Sequence, residues 1–111
     1  TIPSSVTLIE DNAFMGCSSL KEIKIPSSVT FIGSHVFENC SSLTQITIPP
    51  SINSIRNYTF SGCILLSQIT IPSKVTSIGE WAFYRCSSLA QVDIPSSVTY
   101  IGEYSFLDCS H

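Results

Sequence analysis

The chain has 111 residues, a net charge of −3 and a charged fraction of only 12%, against about 25% in a typical soluble domain. A chain this long fits one domain. Its acidic balance argues against nucleic-acid binding, which needs a dense basic face. No apolar run approaches the ~20 residues of a membrane helix, so this segment is not expected to insert in a membrane.

In chain order, Thr1 is followed by the first of five Ile-Pro pairs: Ile2-Pro3, Ile25-Pro26, Ile48-Pro49, Ile71-Pro72 and Ile94-Pro95. Each lies 23 residues after the last. A fixed period of this size marks a solenoid of stacked turns. The repeats read as 2–24, 25–47, 48–70, 71–93 and a partial 94–111, within one domain spanning 1–111. Because the chain starts at Thr1 rather than Met, it reads as a mature fragment. Any targeting segment is expected outside it.

The first repeat carries Ile2, Val6, Ile9 and Phe14. In the second, Ile25, Val29, Ile32, Val36, Phe37, Cys40, Leu43 and Ile46 are predicted to point inward. The third repeats these phases with Ile48, Ile52, Ile55, Thr59, Phe60, Cys63, Leu66 and Ile69. The fourth supplies Ile71, Val75, Ile78, Ala82, Phe83, Cys86, Leu89 and Val92. One turn cannot bury such a face alone; stacking makes a continuous core.

Strict alternation at the end of Leu43–Ile48 predicts a strand with Ile46 and Ile48 inward. Its copies are 20–25, 66–71 and 89–94. Proline ends each, because it has no N–H to donate. Ser-Ser before Val29 and Val98 predicts a turn. The β-branched run from Val29 to Ile32 predicts a second, shorter strand. From Val36 to Leu43 the apolar spacing becomes three, which predicts a short 3₁₀ or helical arc. Gly33, Gly79 and Gly102 mark a bend after the second strand. Glu10 and Arg56 share that phase, so the bend does not require a positive φ.

Cys17, Cys40, Cys63, Cys86 and Cys109 all share one phase. Equivalent residues of stacked turns lie ~4.8 Å apart. In-register side chains keep their Cβ atoms at about that separation, beyond the ~3.8 Å of a disulfide. The expectation is a ladder of reduced, inaccessible thiols acting as small hydrophobes. A line of equivalent thiols does not converge tetrahedrally, so neither metal nor cofactor is expected.

The pattern Leu-x-x-Ile-x-Ile-Pro-x-x-Val-x-x-Ile-Gly-x-x-Ala-Phe-x-x-Cys is clearest from Leu66 to Cys86. It resembles the BspA-like leucine-rich repeat, and the likeness runs through essentially the whole chain. The Asn ladder of many leucine-rich repeats is missing, with Ser28 and Ser51 near that place. The resemblance implies a curved leucine-rich-repeat solenoid with a parallel β-sheet on its concave side. It also implies a cell-surface or secreted protein, some of whose relatives are adhesins for host matrix proteins and cells. A ligand does not follow from a fold.

Two exposed columns are expected on the concave sheet: Glu22, Gln45, Gln68 and Gln91; then Lys24, Thr47, Thr70 and Asp93, with Thr1 beginning the second. They read either as a polar protein-binding face or as a solubilising face of strand-favouring Thr and Gln. Tyr58, Trp81 and Tyr104 share another phase, preceded by Asn12 and His35. They read either as an outer aromatic stripe anchoring a partner or as a half-buried row packed between turns. Phe31, Tyr84 and Tyr100 occupy other surface phases. Two sequons, at Asn39 and Asn57, are candidate glycosylation sites. Asn57 is favoured, because a buried Cys40 lies inside the first.

Enzymes need converging acid, base and nucleophile. Here His35 and His111 lie at different phases, and the serines sit in repeated turns, so no enzyme is expected. Three roles remain. One is recognition of host or matrix proteins, another is end-to-end self-assembly, and the third is a passive spacer. Both end turns are expected to expose apolar interior and unpaired strand edge.

Overall fold

The computed structural model describes residues 2–109, with Gln91 described through its backbone alone. Thr1 and His111 fall outside the described residues. The chain winds as a parallel β-solenoid, each turn advancing 23 residues in register, so that Glu22 pairs with Gln45, and Gln68 with Gln91.

Among the described residues, nine short strands form in chain order: β1 (Leu8–Ile9), β2 (Glu22–Lys24), β3 (Phe31–Ile32), β4 (Gln45–Thr47), β5 (Ser54–Ile55), β6 (Gln68–Thr70), β7 (Ser77–Ile78), β8 (Gln91–Asp93) and β9 (Tyr100–Ile101). The longer ones make one parallel sheet in the order β2-β4-β6-β8. The two-residue strands make two further pieces, β1-β3 and β5-β7-β9. Both strand types are shorter than the alternation suggested. Each Pro-x-x-Val or Pro-x-x-Ile corner takes over at once, with Val29 N–H donating to the Pro26 carbonyl at 3.1 Å and Val75 N–H to that of Pro72.

The core holds the residues whose phase points inward. Ile25, Val29, Ile32, Val36, Phe37, Cys40, Leu43 and Ile46 are all buried. So are their equivalents in the next two turns, except that Val92 is half-buried. The phenylalanines stack along the axis: Phe14, Phe37, Phe60, Phe83 and Phe106 have neighbouring centroids 5.1–5.6 Å apart. Offset parallel rings of this kind add to the burial of large apolar surface.

The expected helical arc is not there. Among the described residues, the segment from Val36 to Leu43 and its copies is a chain of turns with no helix. Its amides alternate in use. Cys40 N–H closes a turn on the Phe37 carbonyl and Leu43 N–H one on Cys40, both at 3.1 Å. Phe37 and Asn39 instead donate to Thr59 and Ser61 of the next turn, at 2.8 and 2.7 Å. An α-helix would bond each amide beyond its first turn to the carbonyl four residues back, whereas Cys40 and Leu43 each bond three back. Two left-handed residues per turn also break it, at the phases of Asn12 and Gly16.

Small polar side chains tie the turns together where leucine-rich repeats often carry an Asn ladder. The Ser28, Ser51 and Ser97 hydroxyls donate to the Val6, Val29 and Val75 carbonyls of the preceding turn, each at 2.7 Å. Buried Thr59 donates to the Arg56 carbonyl at 2.8 Å, and Ser105 to that of Gly102.

The cysteines are more than small hydrophobes. Cys40, Cys63, Cys86 and Cys109 Sγ each donate to the carbonyl of a phenylalanine one turn back, at 3.1–3.2 Å. All five are free thiols. Burial pushes Cys40 up to about 11 and Cys86 up to about 12, and raises Cys63 further. Full inaccessibility holds only for these three. Cys17 and Cys109 belong to end turns with one described neighbour each and are half-buried.

Candidate functional site

The sheet β2-β4-β6-β8 builds the first surface. Alternation sends Ile23, Ile46 and Ile69 inward and leaves the residues on either side exposed. Glu22, Gln45 and Gln68 form one exposed column, and Lys24, Thr47, Thr70 and Asp93 the other. Gln45 Nε2 donates to Glu22 Oε2 at 3.3 Å. A cavity of about 1350 Å³ lies against both columns and continues over the apolar first turn, reaching Ile2, Val6 and Phe14. The sheet therefore offers exposed amides and hydroxyls on a parallel frame, with one acidic and one basic side chain on β2.

The aromatic residues form a different surface. His35 stacks on Tyr58 at 4.6 Å, Tyr58 on Trp81 at 6.0 Å and Trp81 on Tyr104 at 4.5 Å. Tyr84 meets Trp81 edge-on at 4.8 Å. The rings lie face to face along the solenoid, so both faces of Tyr58 and Trp81 and one face each of His35 and Tyr104 are spent on a neighbour. His35, Tyr58 and Trp81 are accordingly half-buried, whereas Tyr104 is 52% exposed.

Position 58 also carries a cost that composition did not reveal. His35, Tyr58, Trp81 and Tyr104 all have φ between 61° and 63°. Bulky residues rarely adopt this left-handed conformation, which costs about 1–3 kcal/mol each. Stacking and the bonds from Tyr58 N–H to the Glu80 carbonyl and from Trp81 N–H to that of Glu103, both at 3.1 Å, hold them there. At the second left-handed phase the chain has Gly16, Asn39, Gly62, Arg85 and Asp108. Four of these are types that tolerate it.

Both sequon asparagines are exposed. Asn57 Oδ1 accepts the Glu80 N–H at 2.8 Å, and Thr59 of that sequon is buried. Asn39 lies in the left-handed conformation beside the hydrogen bond between His35 Nδ1 and Glu38 Oε1 at 2.5 Å.

Sequence reasoning passed over one departure from the repeat and read a second, Arg56, only for its backbone φ. Ile64 and Leu65 replace the Ser-Ser found after Cys17, Cys40 and Cys86, and are 43% and 48% exposed. Arg56 replaces the glycine found at 33, 79 and 102. In a repeat protein each turn is a control for the others, so the consensus itself was the available signal.

The 23-residue repeat matches a known family. The model of the BspA type leucine rich repeat region covers residues 1–111 in six copies. The chain belongs to the BspA-type leucine-rich-repeat family. A leucine-rich repeat protein from Bacteroides ovatus is 47% identical over 87% of this chain and 25% of its own, with a TM-score of 0.85. The T. pallidum leucine rich repeat protein is 39% identical over 94% of this chain and 49% of its own, with a TM-score of 0.90. A leucine rich cell surface protein from Faecalibacterium prausnitzii is 41% identical over 98% of this chain and 29% of its own, with a TM-score of 0.95. This BspA-type chain thus spans between a quarter and a half of the length of those solved structures. No curated protein matches it.

Proposed function

We propose that this BspA-type segment is a protein-recognition module of a cell-surface or secreted protein, and that it binds a host or matrix protein through its concave sheet. The observation that carries this is the pair of exposed columns, Glu22-Gln45-Gln68 and Lys24-Thr47-Thr70, facing one large hollow. The Gln68 amide and the Thr47 and Thr70 hydroxyls face solvent, where they can pair with a partner's backbone and side chains. The aromatic column is the poorer candidate, because its ring faces are occupied. The similar F. prausnitzii protein is a cell surface protein, which agrees with that location.

The test is binding to a panel of immobilised matrix proteins and host cells, with the paired substitutions Thr47→Arg and Gln68→Arg. These point to solvent and leave the fold intact. Loss of binding by the doubly substituted chain, with Trp81→Ala still binding, supports the concave face. Unchanged binding by the doubly substituted chain rules it out.

A second reading is end-to-end assembly. It is favoured by the exposure of Leu8 on one end turn and of Ile101 and Leu107 on the other, at 48%, 47% and 43%. Head-to-tail contact between such surfaces is heterologous and would grow an open filament. Concentration-dependent mass growth without a partner distinguishes it.

A further inference from the structure

The second sheet is broken at one place, between β3 and β5. At the neighbouring junctions the pairing is regular. Thr30 and Gly33 N–H donate to the Thr7 and Ile9 carbonyls, at 2.8 and 2.9 Å. Thr76 and Gly79 N–H donate to Asn53 and Ile55, at 3.0 and 2.7 Å, and Gly102 N–H to Ile78 at 2.7 Å. Among the described residues, Asn53 and Arg56 make no equivalent backbone bonds to Thr30 and Ile32.

The glycine phase explains the break. A Cβ placed on Gly33 would lie 2.7 Å from the Asp11 nitrogen. On Gly79 it would lie 2.6 Å from the Asn57 nitrogen and 2.7 Å from the Arg56 carbonyl carbon. On Gly102 it would lie 2.5 Å from the Glu80 nitrogen. These contacts are with backbone, which cannot swing aside. Glycine is therefore present because each turn presses its backbone on the last, and not for an unusual φ. Arg56 puts a Cβ into that position within the stack. Across the gap its guanidinium lies 4.6 Å above the Phe31 ring, a cation–π contact in place of backbone pairing. The main sheet is also narrowest here: β4 meets β6 through the single pair Gln45–Gln68, where β2–β4 and β6–β8 each make three.

We infer that the junction between the second and third turns is a built-in seam, wedged by Arg56 and latched by Phe31, at which the solenoid opens and flexes. The inner arc stays bonded there, through Phe37 N–H to the Thr59 carbonyl and the stacked Phe37 and Phe60 rings. Motion at the seam is thus a hinge about the arc and changes the curvature of the sheet that carries Gln45 and Gln68.

Amide hydrogen exchange on the chain tests this, since local opening sets the exchange rate. The Asn53 and Arg56 amides should exchange at least about 100-fold faster than those of Thr76 and Gly79. Arg56→Gly should slow them to the level of Thr76 and Gly79. Gly79→Arg should create a second seam and release the Thr76 and Gly79 amides. Equal protection at both junctions in the unaltered chain would overturn the inference. So would an Arg56→Gly chain whose amides 53 and 56 stay fast. If either variant fails to fold, the comparison within the unaltered chain still decides.

Discussion

Cys63 Sγ donates to the Phe37 carbonyl at 3.1 Å, so a thiol one turn up adds a second bond to a carbonyl that already accepts the Cys40 N–H. The bond needs the thiol protonated. Cys40 and Cys86 titrate near 11 and 12 when folded, against 9.0 ordinarily, chiefly because burial penalises the thiolate. Thiols raised in this way contribute stability in full below their unfolded pKa, and it is lost as pH rises through the folded values. The window here runs from about pH 9 to about 12. Urea midpoints should therefore fall across the accessible part of that window. The fall should be shallower in a Cys40→Ala, Cys86→Ala chain. Identical slopes in the two proteins would contradict the assignment.

Thiol reactivity should follow the turns. Cys17 and Cys109 are half-buried, while Cys40, Cys63 and Cys86 are buried. Reaction with an aromatic disulfide reagent at neutral pH should modify only the outer two in the folded chain, and all five in denaturant. Labelling of Cys63 at the rate of Cys17 would mean that the ladder is open to solvent.

Phe83 is fully buried between Phe60 and Phe106, at 5.4 and 5.1 Å. Phe83→Ala removes a ring from the middle of the stack and leaves a cavity, at a cost of about 3–5 kcal/mol. That is a large share of the roughly 5–15 kcal/mol of a typical domain. The urea midpoint should drop accordingly. An unchanged midpoint would show that the stack carries no load.

The core was readable because each phase is sampled in several turns. Val29, Ile52 and Val75 agree, and chance apolar residues such as Ile64 and Leu65 do not recur. The arc was misread for a physical reason. Apolar spacing of three fits a helix, but also a run of turns whose alternate amides bond to the next turn, and sequence does not say where an amide goes. Likewise Tyr58 and Trp81 gave no hint of a left-handed backbone, since neither residue favours it. The glycine phase was seen, and Arg56 was correctly taken to mean that no positive φ is needed. Its actual demand, close backbone contact, depends on the distance between turns.

Two glycines separate the effects of conformation and space. Gly16 has φ 76° and nothing within 4 Å of an added Cβ. Gly16→Ala should cost about 1–2 kcal/mol from the left-handed backbone alone. Gly79 lacks that strain but presses on Asn57 and Arg56. Gly79→Ala should cost about 1–3 kcal/mol as overpacking. It should also expose the Gly79 amide to exchange, which Gly16→Ala should not do at Gly16's neighbours across the turn. The midpoints alone overlap; the exchange pattern separates the two causes.

The final prediction uses Trp81 as a built-in reporter of which face binds. It is the single tryptophan in the chain. Its ring lies between Tyr58 and Tyr104, with Tyr84 on its edge. A partner on the concave sheet would contact Gln45 and Gln68 and leave this cage alone. A partner on the aromatic column would have to displace Tyr104 or cover the exposed ring edges. Either event changes the polarity around the indole. Addition of a binding matrix protein with no tryptophan, or one made with a tryptophan analogue, should therefore leave the Trp81 emission maximum unshifted. The same titration should fail with the Thr47→Arg, Gln68→Arg chain, whose emission should start at the same wavelength because its fold is intact. A blue shift on binding, retained in that variant, would move the recognition surface from the sheet to the aromatic column.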